Sequence, residues 1–282
     1  MLSRNSAIAL ILLAAGAAHA AERSVDRTFT VTPGGMLTVD ADSASVRVTA
    51  ADTNQVVVHA SARGSDEEIA AAKIDVFQKD DGVTVIMRQR GKEGWFHWWS
   101  SWHGDGQVQV TVPRRYAVNL RTGGGNVELA DTEGSATLHT SGGDVVAKHV
   151  TGNVELRTSG GAILADSVRG DVDADTSGGD VRLLNVDGKI RGNTSGGNVR
   201  CSLAGVNRGI SATTSGGDIE LTLPRATAGN LDASTSGGDI TTDLPVTTTA
   251  VKEGRLNGSL NGGGPPIEAR TSGGGIALRV AN

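Results

Sequence analysis

The side chains best suited to recognising something else stand together between Gly94 and Gly106, as Trp95, Phe96, His97, Trp98, Trp99, Ser100, Ser101, Trp102 and His103. All four tryptophans of the chain are in this run, although aromatic residues make up only 3% of the sequence. Trp95, Phe96, Trp98, Trp99 and Trp102 are the candidate ligand- or partner-binding residues. An indole offers a broad apolar face and one N–H, so an exposed cluster can stack on sugar rings, settle among lipid headgroups or anchor in a pocket of another protein. The competing reading has the rings folded back over an open face of the domain, because solvent-exposed patches of that size are avoided unless used. His97 and His103, with Asp105 nearby, raise the question of a metal. Their spacing matches no ordered zinc pattern and no cysteine joins them, so no metal ligand is assigned.

A second set is a column of acids and amides, Asn126, Asp144, Asp180, Asn198, Asp218 and Asp239, each directly after a glycine pair. Some β-rolls bind calcium through glycine-aspartate turns, but with nine-residue repeats that bring several ligands together. Here one carboxylate is offered per turn, and Ala162 and Gly275 interrupt the column. Turn chemistry is the better account. The charged residues Glu155, Arg157, Asp171, Asp173, Asp175, Arg182 and Lys189 read as a solvated face. A polysaccharide lyase or hydrolase built on a β-helix would instead concentrate paired acids or a base from neighbouring rungs. The Gly-Gly-Asp turns lead into strands and lack the lysine of a phosphate loop. No catalytic residue and no cofactor is assigned.

What positions these residues is a repeat. Thr140, Ser141, Gly142, Gly143, Asp144 returns at Thr158, Thr176, Thr194, Thr214, Thr235 and Thr271, with a weaker copy at Thr122 to Asn126. The leading threonines are spaced 18, 18, 18, 18, 20, 21 and 36, the last reading as two periods. Apolar residues two apart follow each turn, as in Val145 and Ala147 or Val181 and Leu183, and a second such pair comes later, as in Val154 and Leu156. Spacing of two marks a strand. Another glycine precedes the second strand, at Gly134, Gly152, Gly170, Gly188, Gly209 and Gly229. Two short strands and two corners cannot bury their own apolar face, so the units must stack. The fold class expected is an all-β, single-chain β-solenoid (β-helix) with rungs of about 18 residues and an N-terminal β-rich cap. Positive φ is expected at the Gly-Gly corner. About eight rungs would give a rod on the order of 40 Å long.

The chain has 282 residues, 40 of them glycine, and a formal net charge of -5, with no basic footprint for nucleic acid. Its lone Cys201 falls on an inward column and reads as a small buried hydrophobe. Residues 1–20 have Arg4, an apolar run from Ala7 to Ala18 and an Ala-x-Ala end, the pattern of a secretory signal peptide cleaved before Ala21. No cysteine follows that site, so anchoring as an N-terminal lipoprotein is not expected. No later apolar stretch approaches the length of a spanning helix. Residues 21–113 read as the cap, with a short helix from Asp66 to about Ala72 behind a Ser65/Glu68 capping box. A hairpin turning at Asp81-Gly82 follows, then the Trp-rich loop. Residues 114–282 read as the solenoid, with a degenerate rung through Leu256, Leu260 and Gly262 near its end.

These motifs together resemble the bacterial putative-adhesin β-helix family: the exported strands with a Pro33-Gly34 turn, Val112-Pro113 before the first repeat, the Thr-Ser-Gly-Gly-Asp series, and the closing run from Leu260 through Gly275. The likeness covers essentially the whole chain after residue 20. It implies a β-helix of the cell envelope with no established enzymatic activity and no catalytic residues to carry over. The expected role is a non-enzymatic exported binding or scaffold module, periplasmic or at the cell surface. Its partner would be an envelope glycan, a lipid surface or an envelope protein. The alternatives are a self-associating structural rod and a polysaccharide-active enzyme.

Overall fold

Apolar residues at alternate positions, short β-branched runs and a corner every few residues dictate strands that must coil. The computed structural model describes residues 21–89 and 105–281. It opens with β1 (Ala21–Thr30), β2 (Met36–Ala41), β3 (Ser45–Ala51) and β4 (Gln55–Gly64). The short helix α1 (Asp66–Ala71) follows, then β5 (Ala72–Lys79), β6 (Gly82–Gln89) and β7 (Asp105–Pro113). The repeats supply strand pairs: β8 (Ala117–Thr122) with β9 (Val127–Ala130), β10 (Ala136–Thr140) with β11 (Val145–Thr151), and β12 (Val154–Arg157) with β13 (Ile163–Arg169). Next come β14 (Val172–Asp175) with β15 (Val181–Asp187), β16 (Ile190–Asn193) with β17 (Val199–Leu203), and β18 (Ile210–Thr213) with β19 (Ile219–Leu223). The end comprises β20 (Gly229–Ser234), β21 (Ile240–Thr242), β22 (Val246–Lys252), β23 (Arg255–Leu260), β24 (Pro266–Arg270) and β25 (Ile276–Val280).

Each rung gives one strand to each of two sheets, of 12 and 13 strands. Rungs pair in parallel with the repeat in register, Val145 on Ile163 on Val181 in one sheet and Val154 on Val172 on Ile190 in the other. The protein is an all-β solenoid, flattened so that the inward valines, leucines, isoleucines and alanines of the two sheets meet in one core. A dozen strands at the usual spacing span about 50 Å, more than the eight repeats alone would give. Beyond the eight repeat strands, the first sheet adds β3, β7, β4 and β1, and the second adds β2, β6 and β5 at one end and β23 and β22 at the other. The boundary expected at 113/114 falls between β7 and β8.

Local expectations before the repeats hold in type. Ser65 caps α1, its Oγ accepting from the Glu68 N–H while the Glu68 carboxylate takes the Ser65 N–H at 2.8 Å. The β5–β6 hairpin forms, but Lys79 pairs Gly82, so its two-residue turn is Asp80-Asp81 with Asp80 at φ 52. An aspartate tolerates that left-handed conformation well enough to displace glycine from the turn by one position.

Three features differ from the sequence reading. The Gly-Gly corners do not have positive φ. Glycine is required there by proximity: a Cβ on Gly161 would lie 2.0 Å from the Gly143 carbonyl oxygen of the rung below, whereas one on Gly160 would stand 3.5 Å from Gly142 O. A left-handed column exists elsewhere, at Asp131, His149, Ser167 and Asn185, with φ between 51 and 64. It shifts the alternation by one residue, so that Ala147 and Val150, three apart, both point inward. Finally, the segment expected to be a degenerate rung is an antiparallel hairpin, β22–β23, closing the 13-stranded sheet.

The rungs are also not stacked in chain order. The rung β2–β3 lies between β6–β7 and β8–β9, and the last rung, β24–β25, lies between β18–β19 and β20–β21. At both ends a rung is flanked by one neighbour near in sequence and one reached by a longer detour.

Candidate functional site

The Thr-Ser-Gly-Gly-Asp corner carries the densest side-chain bonding in the protein. Each buried threonine hydroxyl donates to the carbonyl of the second glycine one rung below: Thr140 to Gly125 at 2.8 Å, Thr158 to Gly143 at 2.8 Å, Thr176 to Gly161 at 2.9 Å and Thr194 to Gly179 at 2.8 Å. The same oxygen accepts from the second glycine of its own corner, as Thr158 does from the Gly161 N–H at 3.3 Å. The Asp/Asn column runs the other way. Asp144 Oδ1 accepts from the Ala162 N–H at 2.8 Å, Asp180 Oδ1 from Asn198 at 2.9 Å, and Asp218 Oδ1 from Gly275 at 2.8 Å. Asn126 and Asn198 do the same for Asp144 and Asp218. An amide serves as well as a carboxylate because only an acceptor is needed. These oxygens point along the stack at backbone N–H groups. Among the described residues no group of three or more His, Cys, Asp and Glu side chains is placed to hold a metal.

Two rungs lack this corner: β2–β3, which turns through Asp42-Ser43-Ala44, and β6–β7. Ala41 pairs with both Met87 and Thr122, and Ser45 pairs with Gln107, so the end of β6 and the start of β7 stand on either side of the corner position of the β6–β7 rung. In that rung the five-residue turn gives way to a segment holding Trp95, Phe96, His97, Trp98, Trp99, Trp102 and His103. All of these lie outside the described residues, as does the expected signal peptide, residues 1–20. The roots of the segment are described. Arg88 forms an ion pair with Asp40 and reaches Asp42 at 3.1 Å. Its guanidinium, hydrogen-bonded to Asp40, holds that carboxyl below the usual carboxylate range, against a smaller opposing effect of burial. On the other side Asp105 accepts from Gln107 Nε2 at 3.0 Å. Gly106 is wedged so tightly that a Cβ would meet Ser43 O at 2.7 Å and the Met87 methyl at 3.1 Å. The strand ends that flank the segment are therefore held by the neighbouring β2–β3 rung.

The charged face that read as scattered contains a shallow groove of about 330 Å³, lined in part by Asn153, Glu155, Asp171, Asp173, Lys189 and Arg191. A spacing of 18 between Asn153, Asp171 and Lys189 was the signal that they share a column. Their bonds serve the stack: Asn153 Oδ1 accepts from the Asp171 N–H at 3.1 Å and Asp171 Oδ1 from the Lys189 N–H at 2.9 Å. Glu155 is held by Arg157 at 2.7 Å, and Arg191 faces Asp173 at 3.8 Å. Glu155 and Asp173 thus face arginines, while the Asp171 carboxylate accepts a backbone N–H. Cys201 is buried in the core, as its column implied, and desolvation pushes its thiol up to about 12.

A solenoid of this repeat defines the class of protein, and the family follows from the comparison with known proteins. The chain belongs to the Toastrack DUF4097 family, whose model matches residues 36–279. That span runs from the first residue of β2 into β25, the two interleaved rungs included. No protein of curated function matches the chain. Among solved structures, a "putative cell adhesion protein" from Clostridium sporogenes is similar over 92% of this chain and 100% of its own, at 12% identity and a TM-score of 0.31. A "putative adhesin" from Bacteroides fragilis is similar over 92% and 97%, at 12% identity and a TM-score of 0.39. A "putative lipid binding protein" from Parabacteroides distasonis covers 92% and 97%, at 11% identity and a TM-score of 0.42. At that distance no property of theirs transfers to this chain. Among the described residues no helix is long and apolar enough to cross a membrane.

Proposed function

We propose that the protein is a non-enzymatic, exported module of the cell envelope that binds through the tryptophan-rich segment, with the solenoid as its rigid mount. The observation that carries this is positional. In the β6–β7 rung the sequence that joins the two strands is the run containing all four tryptophans, at the position where the 18-residue repeats have a Thr-x-Gly-Gly turn. The strands that flank this run belong to the rigid ladders, and binding residues on loops held by a rigid scaffold are a common arrangement. The ligand class is an apolar or ring-bearing surface of the envelope: a glycan, a lipid headgroup region or the pocket of an envelope protein. Many of the described charged groups pair with one another on the open sheet faces, as Arg157 does with Glu155 and Arg200 with Glu220, and in this reading recognition falls to the indoles.

Because every tryptophan is in this segment, intrinsic fluorescence reports on it alone. The expected result is red-shifted emission, freely quenched by acrylamide, that moves to the blue on adding either anionic phospholipid vesicles or purified envelope glycan. Replacing Trp95, Trp98, Trp99 and Trp102 with alanine should abolish co-sedimentation with that same material while leaving the far-ultraviolet spectrum unchanged. Blue, protected emission in the free protein, or binding that survives the fourfold replacement, would overturn the proposal.

A further inference from the structure

The rung β24–β25 arrives last in the chain but is not last in the stack. Its two walls, β18–β19 and β20–β21, are both made by residues that precede it, so a slot one rung wide has to exist or open before Pro266 to Val280 can enter. The slot is bonded on both sides. Thr271 donates to Gly217 O at 2.8 Å and the Gly275 N–H donates to Asp218 Oδ1 at 2.8 Å on one wall. On the other, Thr235 donates to Gly274 O at 2.6 Å and the Ile276 N–H to Asp239 O at 2.9 Å.

Two further groups are specific to this filler and would be wasted if the walls closed on each other. Asn207 is buried, and its Nδ2 reaches both Ala228 O at 3.0 Å and Pro265 O at 3.1 Å, tying the wall loop to the start of the filler. Asp232 on β20 takes Arg270 of the filler at 2.7 Å as well as Arg255 of the hairpin at 3.2 Å. The tether is Asn261-Gly262-Gly263-Gly264-Pro265, with φ of 47, 87, 87 and 148 over its first four residues, arching over the start of β20. It is a hinge joining two bodies that recognise each other through a complete set of directed bonds.

We propose that the slot is a binding site for the Pro266–Val280 rung as such, and that a second copy of this chain can supply it, giving a strand-exchanged dimer. The partner is defined by chemistry: it must present an Ile-x-Ala strand, a Thr-x-Gly-Gly corner and an Ile-x-Leu strand in that order, and the same chain does. Exchange preserves every bond named above and changes only the path of the hinge. A short tether gives the chain's own rung a millimolar effective concentration, so the monomer holds at low protein concentration and exchange requires the slot to be empty, as it is during refolding.

Thr222 of β19 and Arg279 of β25 are paired in register, which makes them a reporter. In a Cys201→Ala background, a chain carrying both Thr222→Cys and Arg279→Cys should close an internal disulfide, showing that the geometry permits the bond. Two chains carrying one replacement each, co-refolded at high concentration and oxidised, should give a mixed covalent dimer at least tenfold above either homodimer. Mixing the same two chains already folded should give monomer. Deleting Gly262 and Gly263 should raise the mixed fraction several-fold, because a shorter hinge cannot arch back over β20. A mixed fraction no greater than the homodimers, or one that the deletion leaves unchanged, would show that the rung enters only its own chain.

Discussion

Thr158→Val is the most informative single replacement in the repeat. Valine keeps the shape and the β-branching of threonine and removes only the hydroxyl, which donates to Gly143 O at 2.8 Å and accepts from Gly161 N–H at 3.3 Å. The residue is 6% exposed, so water cannot replace either bond without opening the corner. Each buried group left without a partner costs about 1–3 kcal/mol, and the longer bond contributes the smaller share, so the expected loss is about 2–4 kcal/mol. Thr158→Ser keeps both bonds and loses one methyl, a cost of about 1 kcal/mol. Urea unfolding separates the two. With an m-value of about 3 kcal/mol/M for a protein of this size, the valine variant should lose about 1 M in midpoint and the serine variant about 0.3 M, at unchanged m. If valine proves no more costly than serine at equal m, the corner is held by packing and the hydroxyl ladder is incidental.

The corner glycines should divide sharply: Gly161→Ala, whose methyl would collide with Gly143 O, should prevent folding or lower the melting temperature by more than 10 °C, while Gly160→Ala should change it by no more than a few degrees. Cys201, fully buried with its thiol raised to about 12, should not react with a disulfide reagent at pH 8 in the native protein, and should react at once in denaturant; labelling that outpaces unfolding would contradict the packing. Asp40, whose carboxyl Arg88 holds below its ordinary value, should stabilise the fold fully above about pH 4 and lose that effect as the pH falls through its lowered value. The pair is exposed, so Asp40→Asn should cost less than about 1 kcal/mol at pH 7, and the cost should shrink as the pH falls below about 4, read from melting curves across that range.

Much of the architecture was legible because the repeat writes its own register. Thr140, Thr158, Thr176 and Thr194 at constant spacing place Val145 over Ile163 and Val154 over Val172, and the apolar pairs give the inward face. Three things were not legible, each for a physical reason. A glycine pair in a turn suggests backbone freedom, but the constraint is the carbonyl of the rung below, which no single repeat contains. The left-handed column escaped notice because Asp131, His149, Ser167 and Asn185 occupy it in place of glycine. The out-of-order last rung was hidden by the interchangeability of the corners: periodicity tells which residues build a rung, and any Thr-x-Gly-Gly corner can sit on any other. The interval of 21 before Thr235 was the trace of the longer path over the slot. As for the candidate site, composition alone singled out the tryptophans. What the sequence could not supply was the pairing of Ala41 with Met87 and Ser45 with Gln107, which sets the strand ends on either side of that run in register with the neighbouring rung.

The interleaved last rung also sets how the rod bears tension. Strand β1 lies at the rim of its sheet and is bonded along one side only, to β4, so a force drawn through residue 21 can strip it away one hydrogen bond at a time. A force drawn through residue 281 meets β25 bonded to both β19 and β21, and behind it β24 bonded to both β18 and β20. Four ladders then have to slide together before anything yields. Single-molecule stretching should accordingly find a low, stepwise rupture when the pull enters at the front of the chain and one high, abrupt rupture when it enters at the back. Equal forces from the two directions would mean that the ladders part independently. A rod built this way is suited to being held by its tail.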